Sequence, residues 1–232
     1  MGNPVVEVSD LSVLFGLKVV LYRVEFKLYP GQVALIVGAN GSGKSTFVHT
    51  LCGLTTPRSG TVRVLGTDPR KFSRSERRRI GVMLHKSMLY SKLTAQENLE
   101  LYARLYGVSE PQQRAFRWIE RVGLRSAAEL MVHQLSRGME QRLALARALL
   151  AEPEVVLLDE PFAALDEDGV NLACELLKEA RDRGAALVLT SHEGSSPFIG
   201  AIEPLVFRLT QYRLHPVERE NRRRGPWRWM LT

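Results

Sequence analysis

GANGSGKST, residues 38–46, decides the reading of this chain. It fits the pattern G-x-x-x-x-G-K-[S/T] with no position missing. QVALIVG, residues 32–38, leads into it as a continuous apolar run of the kind that sheets bury on both faces. A helix is expected directly after it, from about Lys44 to Cys52. In a strand–loop–helix context the glycines Gly38, Gly41 and Gly43 let the backbone curl so that its N–H groups converge on an anion. Lys44 adds a positive charge for β- and γ-phosphates, Ser45 offers a hydroxyl to Mg²⁺, and Thr46 reaches further phosphate oxygens.

VVLLDEP, residues 155–161, reads as the second half of the same site. Four apolar residues make a buried strand, and Asp159 emerges at its end to complete a Mg²⁺ shell. Glu160 comes next, and a carboxylate there can orient and polarise an attacking water.

Working outward, residues 5–37 read as strands, with near-alternation in VVEVSDLSV and VVLYRVEFKL. SGTVRVLG and IGVML read as further short strands. The middle is helical: Thr94 and Glu97 form a capping box ahead of Leu99, Tyr102, Leu105 and Tyr106 at helical spacing. A second helix carries Phe116, Trp118, Ile119 and Val122. Residues 88–150 therefore read as a helical subdomain in an α/β frame with a mostly parallel sheet. EVVLLD and AALVLTS are strands flanking a helix at about 169–182, and past Pro204 the pattern weakens. The expected organisation is one nucleotide-binding domain over residues 1–212 and a basic tail over 213–232.

The net charge of +7 is concentrated in two stretches. RKFSRSERRR, residues 70–79, holds six basic residues and one acid, and residues 213–232 hold six arginines and two glutamates. Two local patches of this kind suit a solvated face, an anionic membrane surface or a membrane partner, and nucleic acid is not the expected partner. No apolar run approaches the roughly 20 residues that span a bilayer. MGNPVVEVSD lacks the basic and apolar regions of a signal peptide. Cys52 and Cys174 show no metal or redox spacing and read as reduced core residues.

LSRGMEQR, residues 135–142, is a small polar turn feeding a helix, which is a second anion site in a chain that already has one. With the glycine loop, the strand-end carboxylates and the helical insertion, it makes one ordered pattern. On that pattern the chain resembles an ATP-binding cassette (ABC) ATPase subunit across nearly all of residues 5–210. The resemblance implies a P-loop NTPase fold with an N-terminal antiparallel β subdomain, and ATP with Mg²⁺ as ligands. It implies that Phe15 stacks on adenine and that Gly38, Ala39, Asn40, Gly41, Ser42, Gly43, Lys44, Ser45 and Thr46 form the phosphate loop. Ser136 and Gly138 match the signature that reaches nucleotide held by a second chain, Asp166 the loop that couples the two sites, and His192 the switch histidine on the γ-phosphate. Glu160, His192 and Lys44 are then the catalytic residues, and Ser45 and Asp159 the metal ligands.

The same resemblance implies a head-to-tail dimer, with itself or a paralogue, and separate membrane permease subunits at the cytoplasmic face of the membrane. Two departures stand out. Lys86 falls where the family usually has a glutamine near the metal and water, and a protonated lysine cannot ligate a metal ion. Arg137 and Met139 replace a glycine and a glutamine in the signature. Slow or partner-dependent hydrolysis, or a nucleotide-gated adaptor with little turnover, would follow from them. HKSMLYSKLTAQENLELYARLYG and the signature helix look most like the haem-exporter ATPase of cytochrome c biogenesis. Exporters of drugs, lipids or polysaccharides look similar.

Overall fold

Two sheets share the chain in the computed structural model, which describes residues 2–192 and 204–217. β1 (Val6–Phe15) and β2 (Lys18–Leu28) form an antiparallel hairpin. β3 (Val33–Val37) and α1 (Lys44–Leu51) flank the glycine loop as expected. β4 (Ser59–Val64), the short helix α2 (Arg74–Arg78) and β5 (Ile80–Met83) follow. The helical insertion holds α3 (Ala95–Leu105), α4 (Pro111–Arg121) and α5 (Arg137–Leu149). β6 (Val155–Leu158), α6 (Glu167–Asp182), β7 (Ala186–Ser191), β8 (Leu205–Thr210) and β9 (Arg213–Pro216) come last.

The smaller sheet runs β2-β1-β4 and is antiparallel; the larger runs β5-β6-β7-β3-β8-β9, parallel except where β9 turns back on β8. Side-chain alternation splits the larger sheet between two cores. Leu35, Leu158 and Leu187 face the helical insertion with α5 and α6, whereas Ile36, Leu157 and Val188 face α1 and the smaller sheet. Both faces are covered, which is why these strands read as unbroken apolar runs rather than alternating ones.

Local chemistry sets the helix starts. The Thr94–Glu97 capping box forms, and an unanticipated one, Ser73–Glu76, opens α2 inside the basic stretch. There Arg70 pairs with Asp68 and Arg79 with Glu154, so part of that patch is neutralised locally. Asn98, fully buried, accepts from the Tyr90 N–H and donates to the carbonyls of Tyr90, Leu93 and Thr94, which fixes the path from β5 into α3.

The domain boundary expected after residue 212 falls inside the β8–β9 hairpin, so Arg213–Pro216 belongs to the sheet rather than to a tail. LVFRLT and RLHP are short, charged and only partly buried, and they lack the alternation that marks a strand. The rest of the expected tail, with Trp227 and Trp229, lies outside the described residues. Cys52 caps the C-terminus of α1 and Cys174 lies in α6; both are free thiols and partly buried.

Candidate functional site

The loop leaves β3, the strand between β7 and β8, at its C-terminal end, where parallel sheets place their ligands. Gly43, at φ 110°, turns the chain into α1 in a conformation that side chains rarely adopt. Gly38 meets β8 closely: a Cβ there would lie 2.6 Å from the Leu209 carbonyl oxygen. Lys44 is nearly buried, and its Nζ donates to the carbonyls of Gly38 at 2.7 Å and Ala39 at 3.1 Å, which keeps the ammonium within the curl of the loop. The Ser42 hydroxyl is buried with no hydrogen-bond partner. An unsatisfied buried hydroxyl costs about 1–3 kcal/mol, and a bound phosphate oxygen would supply the partner it lacks.

A cavity of about 330 Å³ opens over this loop. Asn40, Gly41, Gly43, Lys44, Ser45 and Thr46 line it from the loop side, with Phe15, Glu160 and Tyr212 completing the wall. Phe15 sits at the end of β1 and is 56% exposed, so it is a rim residue and not a core one. A second cavity, about 310 Å³, lies beside the first and is lined by His85, Ser87, Arg137, Gln141, Asp159 and Glu160 among others. Glu160 alone of the two strand-end carboxylates lines both cavities.

Glu160 is held from several directions. Its backbone has φ 53°, a strained value for a side chain other than glycine or asparagine. Its N–H donates to Thr190 Oγ1 at 2.9 Å, and its carbonyl accepts from Gln141 Nε2 at 3.2 Å. Its carboxylate Oε1 lies 3.0 Å from His192 Nε2. Asp159 is almost wholly buried and accepts from the Thr190 hydroxyl at 2.6 Å. Burial pushes the Cys52 thiol up to about 12, with the negative charge of Asp159 adding to the effect, so that neighbour stays a neutral thiol.

The structure thus brings Lys44, Ser45, Thr46, Phe15 and Glu160 onto one cavity and Asp159 onto the adjoining one. Lys86 is exposed and is not among the residues lining either cavity. His85 and Ser87 line the second cavity from the segment that follows β5. Ser136 is exposed and lines neither cavity; its hydroxyl N-caps α5 by accepting from the Met139 N–H at 3.2 Å. Gly138 sits in the first turn of that helix, close to the Ala164 carbonyl. Asp166 N-caps α6, accepting from the Gly169 N–H at 2.9 Å. Sequence reading passed over Thr190, Gln141, His85 and Tyr212. Thr190 and Gln141 stand inside quoted motifs, but only the fold aims them at Glu160.

A sheet open at this end, with a glycine loop after β3, a lysine within it and two carboxylates at the end of β6, one strand removed across β7, defines a P-loop nucleoside-triphosphatase fold. A protein-family model described as ABC transporter matches residues 21–163. The chain belongs to the ABC transporter family. It is 35% identical over 189 residues to Nod factor export ATP-binding protein I of Rhizobium etli, covering 81% of this chain and 60% of that protein. It is also 35% identical over 204 residues to a macrolide export ATP-binding/permease protein of Hahella chejuensis, covering 83% of this chain and 31% of that protein. A probable multidrug ABC transporter ATP-binding protein of Escherichia coli shares 34% identity over 193 residues, 82% of this chain and 33% of that protein. The chain therefore spans less than two thirds of the length of these relatives. Among solved structures, an ATP-binding subunit of an ABC transporter superposes with TM-score 0.85 at 28% identity, over 98% of this chain and 94% of that one. A dimeric ATP-binding cassette in a post-hydrolysis state, bound to ADP and Pi, superposes with TM-score 0.79 at 27% identity, over 90% of this chain and 96% of that one.

Proposed function

We propose that this chain is the ATP-binding and ATP-hydrolysing motor subunit of a membrane exporter, working as a dimer on permease subunits. The observation that carries the reading is the placement of Glu160, pinned at its backbone, facing the loop cavity and 3.0 Å from His192. The loop N–H groups, Ser42 and Lys44 bind the β- and γ-phosphates, and Phe15 stacks on the adenine. Ser45 and Asp159 are the residues that would hold Mg²⁺, which neutralises phosphate charge when bound. Glu160 orients a water and takes up its proton as the oxygen bonds to the γ-phosphorus; the bond to the β-γ bridging oxygen breaks, leaving ADP and phosphate. His192 holds the Glu160 carboxylate and the γ-phosphate in register.

Ser136 and Gly138 do not line their own chain's loop cavity, which supports their use on nucleotide held by a second copy or a paralogue. Asp166, which N-caps α6, then couples the two sites. No helix among the described residues is long and apolar enough to cross a membrane. The reading assigns the transport path to permease subunits, with this chain on their cytoplasmic face. The relatives named above for Nod factor, macrolide and multidrug export support an exporter. The finer reading, haem export in cytochrome c biogenesis, rests on the resemblance of residues 85–107 and of the signature helix. The adaptor reading rests on Lys86 and Arg137, of which Arg137 lines the second cavity together with Glu160.

The test compares the wild type with Glu160→Gln in Mg²⁺-ATP, by phosphate release and size-exclusion chromatography. Turnover in the wild type and an ATP-bound dimer without turnover in the variant is the expected result. A wild type that binds ATP and neither turns over nor pairs, even with its permease, overturns the motor reading.

A further inference from the structure

Gln211 and Tyr212 alone join β8 to β9, and both have positive φ, 47° and 65°. A two-residue hairpin loop of this geometry favours Asn-Gly, because only small residues reach it without strain. A tyrosine there is an outlier. Core packing does not explain it, since Tyr212 is 52% exposed. The hairpin is nevertheless firmly placed. The Tyr22 N–H donates to the Tyr212 carbonyl at 2.8 Å, the Arg213 guanidinium lies 5.3 Å from the Tyr22 ring centre, and the Leu209 carbonyl abuts Gly38 of the glycine loop. The strained position places Tyr212 on the wall of the 330 Å³ cavity, where the other aromatic residue is Phe15.

We infer that Tyr212 is a second nucleobase-contacting residue, forming with Phe15 an aromatic rim that takes the flat purine of the bound nucleoside triphosphate. The inference rests on the proposed ATP binding. A π-face recognises any base plane, so the contact adds affinity for the base without adding to phosphate recognition. Strain at the loop is retained because replacing Tyr212 by glycine would relieve the backbone and lose the ring.

The experiment titrates the full chain calorimetrically with Mg²⁺-ATP and with Mg²⁺-tripolyphosphate, which lacks the base. The variants are Tyr212→Gly and Tyr212→Phe. Tyr212→Gly suits the turn, so its melting temperature should equal or exceed that of the wild type. Base stacking of ordinary strength predicts about a tenfold loss of ATP affinity in Tyr212→Gly. Tripolyphosphate affinity stays unchanged, and Tyr212→Phe keeps wild-type affinity for ATP. Unchanged ATP affinity in Tyr212→Gly overturns the inference alone. Equal losses for both ligands overturn it in favour of a hairpin that merely supports the loop. A wild type that binds no ATP overturns this inference and the proposed function together.

Discussion

Thr190 Oγ1 donates its hydrogen to Asp159 Oδ1 at 2.6 Å and itself accepts the Glu160 N–H at 2.9 Å. One buried hydroxyl on β7 thus sets both the carboxylate that would hold the metal and the backbone of Glu160, the residue proposed to orient water. The link crosses from β7 to the end of β6, between strands paired in parallel.

Thr190→Val keeps the shape and removes both bonds. It leaves the Glu160 N–H without its acceptor, so a destabilisation of about 1–3 kcal/mol is expected in urea denaturation. Because Asp159 loses its orienting donor, the Mg²⁺ concentration for half-maximal ATP turnover should rise, and Thr190→Ser should restore it. A valine variant with unaltered Mg²⁺ dependence would show that the hydroxyl serves the fold and not the metal site.

Arg147, in α5 and 2% exposed, is a buried cation whose partners are not anions. It donates to the Val82 carbonyl at 2.6 Å, reaches Met88 Sδ at 3.8 Å and lies 5.1 Å from the Tyr102 ring centre. These contacts tie the signature helix to β5 and to the segment that carries His85 and Ser87 to the second cavity. Arg147→Lys keeps the buried charge and loses the planar fork and the stacking, so about 1–2 kcal/mol of destabilisation is expected. Arg147→Met removes the charge and fills the same apolar space, so it should be the more stable of the two by denaturant midpoint. The reverse order would mean that the hydrogen bonds outweigh the cost of burying the charge.

The acid side of the stability profile should carry a signature of α2. Hydrogen bonds from the Ser73 hydroxyl, then from Thr67 and the Ser73 N–H, hold the Glu76 carboxyl down to about 2, below its ordinary 4.5. Arg70 likewise holds Asp68 at about 2. A depressed folded value stabilises the protein above the unfolded value, and that contribution fades as pH falls toward the folded one. The midpoint difference between wild type and Glu76→Gln should be constant above about pH 5 and close between about pH 4.5 and 2. A difference that persists at the acid end would assign the effect to the capping box geometry alone.

Much of the fold was legible because its signals are local. The glycine loop, the apolar runs of β3, β6 and β7 and the Thr94–Glu97 box each declare themselves within a few residues. β8 and β9 did not, because their edge position leaves them partly exposed and their pairing with each other supplies what their composition lacks. The same holds for the site. Asp159 and Glu160 were readable at a strand end, whereas His85, which lines the second cavity with them, was not, since sequence spacing does not say which side a chain shows as it leaves a strand.

The sequence by itself determined that a phosphate-binding loop follows a buried strand, that paired carboxylates end another, and that a helical insertion separates the two. Backbone geometry and hydrophobic period are short-range, and a few residues suffice to express them. Only the tertiary structure decided that Thr190 bridges Asp159 and Glu160, that Gln141 holds the Glu160 carbonyl, and that Tyr212 meets Phe15 on one cavity. Those contacts join residues 19 to nearly 200 positions apart, and they exist because strand order, not chain order, sets which loops meet at the open end of the sheet.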